Sequence, residues 1–341
     1  MHMADALLSP TVGATMWAAT AGAIAWCSAK VRQELDERKV PLMGVLGAFV
    51  FAAQMINFAI PGTGSSGHLG GALLLAILLG PHAAFLTIAS VLFIQALFFA
   101  DGGLLALGCN IFNLGAFPAF IAYPLLYRKL AGPRPRQSRL VLAAVVAGVV
   151  GLQLAAFAVV LETTASGISA LPFKAFILLM QPIHLAIGVI EGLATAAIIA
   201  FVFRARPELV ESTLANRPLG SLPIRSMLAA FALAAVLLGS VVSWFASTQP
   251  DGLEWAISKV AGTEELPAPA HPLHSTLAAI QKKMAIFADD TGRPEPIESG
   301  NLAATEIAPI DSGLPGLIGG IATLATCLLA GVLLRSYARR A

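Results

Sequence analysis

The sequence predicts an all-α integral membrane protein, and three observations predict it. Of its 341 residues, 57% are hydrophobic and only 12% charged, where a soluble domain carries about 25% charge. Mean hydropathy is +0.81, and apolar stretches of bilayer-crossing length, about 20 residues each, recur along nearly the whole chain. Most of the 21 Lys and Arg residues gather in short clusters between those stretches.

The clusters set the order of the elements. Lys30, Arg32, Arg38 and Lys39 form the first; Arg128, Lys129, Arg134, Arg136 and Arg139 the second; Arg204, Arg206, Arg217 and Arg225 the third; Arg335, Arg339 and Arg340 the last. Positive residues favour the cytoplasmic side, so spans are threaded between them. The first two are expected over residues 10–29 and 41–60. Two shorter ones, 69–80 and 82–100, are split at Gly80-Pro81, a dipeptide that ends helices. The next three are expected over 105–127, 140–161 and 173–203. A cytoplasmic linker, 206–226, leads to spans over 227–246 and 314–334. With the N-terminus outside, every basic cluster falls inside, so the C-terminus is cytoplasmic. Met1-His2-Met3-Ala4-Asp5 has no basic signal region, so the N-terminus is expected to be retained. Residues 1–205 then read as one membrane domain. Residues 227–341 read as a second, two-span domain with an extracytoplasmic loop over 247–312.

Residues 61–71, Pro-Gly-Thr-Gly-Ser-Ser-Gly-His-Leu-Gly-Gly, have the frame of a phosphate-binding loop but not its chemistry. His68 stands where a lysine should reach the phosphates and Leu69 where a hydroxyl should hold magnesium. The topology places this loop outside, beside Met1-His2. A histidine at position 2 is a chelator: the Met1 amine, the His2 amide and the His2 imidazole bind one ion in a plane through five- and six-membered rings. A fourth nitrogen from His68 completes a planar set, which points to Ni(II) or Cu(II) rather than tetrahedral zinc. The amine has to shed its proton, so binding should weaken as pH falls. The metal set is therefore Met1, His2 and His68. Asp5, Ser65, Ser66, Asn110 and Asn113 are candidate supporting groups around it; Asp5 either orients His2 or serves as a helix cap or solvated carboxylate, and Ser65 and Ser66 either line the pocket or face water.

Other polar residues carry weaker expectations. His184 and Glu191, seven apart, share a helix face, as do Asn110 and Asn113; inter-helix hydrogen bonding is the expected use, with His184 a backup ligand at most. His271 and His274 lie in a proline-rich outer stretch and are expected to be solvated. Cys27, Cys109 and Cys327 lie in or beside apolar runs and read as core filler. Ala14, Ala18, Gly22 and Ala25 form a small-residue strip suited to close helix approach, within the bundle or toward a partner.

Taken together, Met1-His2 with Leu8-Ser9-Pro10, the Gly67-His68-Leu69-Gly70-Gly71 loop, the run Ile94–Leu104 and the run Leu107–Asn113 resemble the CbiM/NikM type. These are the substrate-binding components of energy-coupling-factor transporters for nickel and cobalt. The resemblance covers about residues 1–205 and implies a seven-helix bundle. It also implies that Met1, His2 and His68 hold the ion. Pro250-Asp251-Gly252-Leu253-Glu254-Trp255 is similar to the PDGLE form of the small N component that travels with nickel systems, so the chain looks like a fusion of the two. The chain departs from the family's usual opening in having Met3-Ala4-Asp5-Ala6 after Met-His.

No Walker A or B pattern is present, so the chain is expected not to be an enzyme. The resemblance supplies the energy source as partners: a transmembrane coupling (T) component and ATP-binding cassette ATPase subunits. It also implies a bacterial inner membrane. Ni(II) is the expected transported ion and Co(II) the near alternative, with no organic cofactor and no nucleic acid. An autonomous secondary transporter competes, but no inverted repeat is visible and Glu162 and Glu191 are the few carboxylates near spans. An intramembrane metalloenzyme lacks any H-E-x-x-H or comparable set.

Overall fold

The computed structural model describes residues 1–33, 39–133, 135–219, 223–287 and 313–338. Arg38, Arg134, Arg339 and Arg340, together with parts of the 206–226 linker and the 247–312 segment, lie outside the described residues.

A short 3-10 turn, Asp5–Leu7, leads into α1 (Pro10–Gln33) and α2 (Lys39–Gln54). A two-stranded antiparallel hairpin, β1 (Phe58–Ile60) and β2 (Ser65–Gly67), follows. Then come α3 (Ala72–Leu79), α4 (Pro81–Phe98) and α5 (Leu107–Ile111), which runs on through a wide π-wound stretch, Phe112–Tyr127, into α6 (Arg128–Ala131). Two long helices, α7 (Gln137–Ser166) and α8 (Phe173–Ala205), pack as an antiparallel pair and precede the short α9 (Pro207–Leu214). The C-terminal part comprises α10 (Arg225–Ser240), α11 (Gly252–Ala261), α12 (Pro272–Met284) and α13 (Gly313–Ala338). It is a multi-pass, almost wholly helical membrane architecture.

Among the described residues, five helical runs are long and apolar enough to cross a bilayer: Pro81–Phe98, Leu107–Ala131, Gln137–Ser166, Phe173–Ala205 and Leu314–Ser336. The apolar α2 and α10 are shorter, at 16 residues each. Outward faces carry large apolar side chains, among them Leu178, Phe201, Leu233 and Leu329, the surface a lipid solvent requires.

Three expected spans need correction. The 69–80 span is instead an eight-residue helix, α3, about 12 Å long, which cannot cross. Gly71 turns the chain with φ +76°, and a Cβ there would meet Val50 at 2.6 Å. The site loop therefore takes the residues the span was to begin with. Every residue of α3 is buried, and its far end rests on α9, where the Thr213 hydroxyl donates to the Leu78 carbonyl. The 41–60 span ends at Gln54 because residues 58–60 enter the hairpin. The 227–246 span ends at Ser240 in a 3-10 turn, Val242–Phe245.

The C-terminal helices α10 and α13 pack along α2, and α4 packs against both α2 and α13. Buried between α4 and α2, Gln95 Nε2 donates to Gln54 Oε1 (2.9 Å), and Gln54 Nε2 donates to the Gly70 carbonyl (2.7 Å). A loop carbonyl with no water needs such a donor, and the relay ties α4 and α2 to the loop that carries His68. The Ala14, Ala18, Gly22 and Ala25 strip faces outward, with nothing within 4 Å of a Cβ at Gly22.

The α7–α8 crossing is closed by glycines: a Cβ at Gly192 would lie 2.7 Å from the Val145 Cα, and one at Gly148 2.9 Å from the Gly192 Cα. Backbone cannot rotate away, so Gly192→Val should lower stability by about 1–3 kcal/mol or more. The expected readout is a drop of several degrees in the unfolding temperature of the detergent-solubilised protein.

Candidate metal site

The chain's first residues are folded into the bundle. Met1, Met3, Leu7 and Leu8 are buried, and the backbone there is pinned at several points. The Met3 amide donates to Asn110 Oδ1 (2.8 Å), while the Met3 carbonyl accepts from Asn110 Nδ2 (3.2 Å) and the Gly103 amide (2.9 Å). Asp5 Oδ1 accepts the Ala106 amide at 2.9 Å, and His274 Nε2 donates to the Leu8 carbonyl at 2.9 Å. These contacts fix the free amine in place.

The Met1 amine lies 2.8 Å from His68 Nε2 and 2.6 Å from Asp251 Oδ2. His68 comes from the end of the hairpin, whose loop turns through Gly62 and Gly64 at φ +76° and +73°. Its Nδ1 donates to the Leu69 carbonyl (3.1 Å), which leaves the Nε2 lone pair facing the amine. Burial, then the neighbouring amine and His2, push the His68 pKa from 6.5 down to about 3. The ring is thus neutral and a competent ligand. The His2 ring stacks on His68, centroids 4.9 Å apart and planes 16° from parallel. Its Nδ1 donates to Asp101 Oδ1 at 2.8 Å, and its buried Nε2 has no partner. Burial raises the Asp101 carboxyl, but the neighbouring His2 ring and its hydrogen bond outweigh it and leave the net shift downward.

Asp251 arrives from the C-terminal part. The Ser66 amide donates to the Pro250 carbonyl (2.7 Å), the Ser66 hydroxyl to the Gln249 carbonyl (2.7 Å), and Trp255 Nε1 to the Thr63 carbonyl (3.0 Å). Residues 249–251 thereby lie beside β2 as a parallel bridge, Ser66 to Asp251. Asp251 also caps α11. Its Oδ1 accepts the Leu253 and Glu254 amides (2.7 and 2.9 Å), while Glu254 reaches back to the Asp251 amide (3.0 Å), a capping box. Burial would raise this carboxyl, yet the amine and the Glu254 amide hold it well below the usual carboxylate range. Two carboxylates, two imidazoles and one amine therefore converge at one mouth of the bundle.

Residues 2–209 match the CbiM family, described as the cobalt uptake substrate-specific transmembrane region. The chain belongs to the CbiM family. Residues 225–336 match the PDGLE domain, which contains Asp251. A fused nickel transport protein NikMN of Rhodobacter capsulatus is 33% identical over 222 residues, covering 62% of this chain and 64% of that protein. A cobalt transport protein CbiM of Geobacter sulfurreducens is 30% identical over 289 residues, covering 81% and 82%. The crystal structure of a truncated transition metal transporter superposes with a TM-score of 0.54 at 33% identity, covering 60% of this chain and 99% of that one. This CbiM-family member is a transition-metal transport component.

Around its site, the structure brings Met1, His2 and His68 together and places Asn110 behind them as a clamp on Met3. Other supporting residues fall elsewhere. Asp5 does not orient His2; it holds the amide of Ala106, and Asp101 takes the His2 ring instead. Ser65 and Ser66 do not line the site: Ser65 Oγ donates to the Ser66 carbonyl (3.2 Å) and Ser66 Oγ holds the Gln249 carbonyl. Asn113 Nδ2 donates to Glu162 Oε2 (2.8 Å), within the membrane-spanning part. Asn110 and Asn113 part because the helix changes winding at Phe112. His274 is buried rather than solvated, and His271 Nδ1 accepts the Leu273 amide as the α12 cap (3.1 Å). The three cysteines are free and buried, as expected. Asp101 and Asp251 were not singled out from sequence. Among the described residues no group of three or more His, Cys, Asp or Glu forms a metal centre, and the set here depends on two main-chain nitrogens.

Asp251→Asn keeps the helix cap, since Asn caps about as well as Asp, but removes the charge beside the amine. Asp251→Ala removes both. The expected order of unfolding temperatures is wild type, then Asp251→Asn, then Asp251→Ala, with the second step worth about 1 kcal/mol.

Proposed function

We propose that this chain is the substrate-specific component of an energy-coupling-factor importer for Ni(II). It holds the ion in a planar four-nitrogen site made by the Met1 amine, the His2 amide, the His2 imidazole and His68 Nε2. The observation that carries the reading is the 2.8 Å approach of the free amine to a neutral, buried His68 with the His2 ring stacked upon it. A chelate of amine, amide and imidazole uses the imidazole nitrogen nearer the backbone, Nδ1. In the metal-free arrangement that nitrogen faces Asp101, so ion entry turns the His2 ring about its Cβ–Cγ bond and releases Asp101. Strong-field nitrogens in a plane suit Ni(II).

Residues 1–205 form the metal-binding domain in this reading, 206–226 a cytoplasmic linker, and 227–341 the N-type domain with its extracytoplasmic 247–312 segment. The N-terminus faces outward and the basic clusters face the cytoplasm of a bacterial inner membrane. A transmembrane T component and ATPase subunits supply the energy. Cobalt is the second reading, favoured by the CbiM family match and the Geobacter relative; the PDGLE segment and the NikMN relative favour nickel.

Extending the chain by one residue before Met1, or acetylating the amine, should abolish tight nickel binding in a protein that stays folded, and His68→Ala should do likewise. Isothermal titration with nickel checks this; unchanged affinity with a blocked amine would exclude the chelate. Chelation displaces protons from the amine and the amide, about two per ion, so the dissociation constant should rise up to about 100-fold per unit of falling pH. His68 stays neutral until about pH 3, so it adds no proton to that count above pH 5. Titrations in buffers of differing ionisation enthalpy measure the number directly.

A further inference from the structure

Against the Met1–His68 pair lies a small cavity walled by Met1, His68, His184, Leu152, Ile187 and Gly252 among others, with room for about one water-sized group. His184 comes from α8 and is 1% exposed. Its Nδ1 donates to the Met180 carbonyl at 2.8 Å, which fixes the tautomer and leaves a lone pair on Nε2. That nitrogen is buried and has no hydrogen-bond partner. Leaving a polar atom unsatisfied in an apolar wall is costly, and here the atom belongs to a group lining the same cavity as two of the proposed metal nitrogens. Gly252 leaves the room the ring occupies: a Cβ there would lie 3.0 Å from its Cε1 and 3.2 Å from its Nε2.

The cavity also has a continuation. A second one shares Gly70, Leu114 and Leu152 with the first and reaches Glu191, two turns further along α8, or about 10 Å. Glu191 is held there by the loop backbone, its Oε1 accepting the Gly71 amide at 3.1 Å. His184 is thus the first donor atom met between the amine–His68 pair and the bundle interior.

We propose that His184 is a further metal ligand, whose Nε2 takes hold of the ion from the cavity beside the planar site and draws it inward. This rests on the planar-chelate reading above. Four strong nitrogen donors in a plane make a tight but slowly exchanging Ni(II) complex, open only above and below. A fifth nitrogen approaching there raises the coordination number, lengthens the in-plane bonds and turns the ion paramagnetic. Its neutral imidazole brings a lone pair and needs no proton transfer. The strong site then has a route of release, and His184 supplies it.

The experiment uses the full chain in detergent, loaded with Ni(II), as wild type, His184→Ala, His184→Gln and His68→Ala. Each is followed by unfolding temperature, equilibrium affinity and rate of nickel loss to an added chelator. With the planar set intact, both His184 variants should still bind one nickel, yet release it about tenfold or more slowly. Nickel uptake by cells carrying the whole transporter should fall in step. Release and uptake unchanged in both folded variants would overturn the assignment. So would complete loss of binding in His184→Gln, which would put His184 in the primary set. Tight binding that survives His68→Ala and a blocked amine would instead overturn the planar reading itself, so the two failures are distinguishable.

Discussion

The buried Met1 ammonium and its two partners, Asp251 and His68, are the constraint on which the rest of the site depends. A charged amine taken out of water is strongly disfavoured unless paired and hydrogen-bonded. Here the carboxylate at 2.6 Å supplies the charge and the imidazole at 2.8 Å the second acceptor. Neither partner is local: one is 67 residues away and the other 250. The amine can sit at the centre of the site only because a hairpin from the N-terminal part and a helix cap from the C-terminal part both close on it. The same docking lays residues 249–251 beside β2 and lets Trp255 reach the Thr63 carbonyl. Helices α10 and α13 bring residues 249–255 to the mouth where the amine waits.

The glycine-rich loop, read first as an imperfect phosphate cradle, serves this arrangement in three ways. Gly62 and Gly64 turn the hairpin, Gly71 swings the chain into α3 beneath it, and the small residues between them let the PDGLE strand lie close. The Gln95–Gln54 relay then fastens the Gly70 carbonyl from inside the bundle. His68 is therefore held from both sides, by its own Leu69 carbonyl and by a loop tied down at Ser66 and Gly70. Such rigidity is what a planar ligand set demands of residues that the chain supplies from separate segments.

How much of this was legible in the sequence follows the range of each interaction. That Met1, His2 and His68 meet could be read because the donor chemistry of an N-terminal Met-His is local and the basic clusters predict one side for both segments. The capping box at Asp251 and Glu254 was equally local, an acidic residue followed three later by Glu before an apolar run, yet it passed as a family mark only. That its other carboxylate oxygen meets the amine is a contact across 250 residues, and no local pattern encodes it. Asp5 reads as a partner for His2 because it is near in sequence; the 3-10 turn carries it away toward Ala106, while the α4–α5 loop delivers Asp101. The 69–80 span failed for a related reason. Hydropathy sees twelve apolar and small residues, and cannot see that Gly71 sits at positive φ with Val50 filling the space a side chain would use.

Charge accounts for one last property of the proposed site. In the metal-free protein the group facing Asp251 carries +1, the ammonium. In the proposed chelate, a divalent ion joined to one deprotonated amide, one neutral amine and two neutral imidazoles again carries +1. Asp251 thus faces the same net charge before and after the ion enters, and its ion pair is exchanged rather than broken. A carboxylate whose partner vanished on loading would be left buried and unpaired, a cost of several kcal/mol that would oppose binding. Because the charge is conserved, the PDGLE segment can remain docked against β2 in both states. In that reading the His2 ring leaves Asp101, a residue open enough to water to bear the loss of its partner. The division of labour between the two carboxylates follows from their exposure: the sheltered one keeps a constant partner, and the open one gives its partner up.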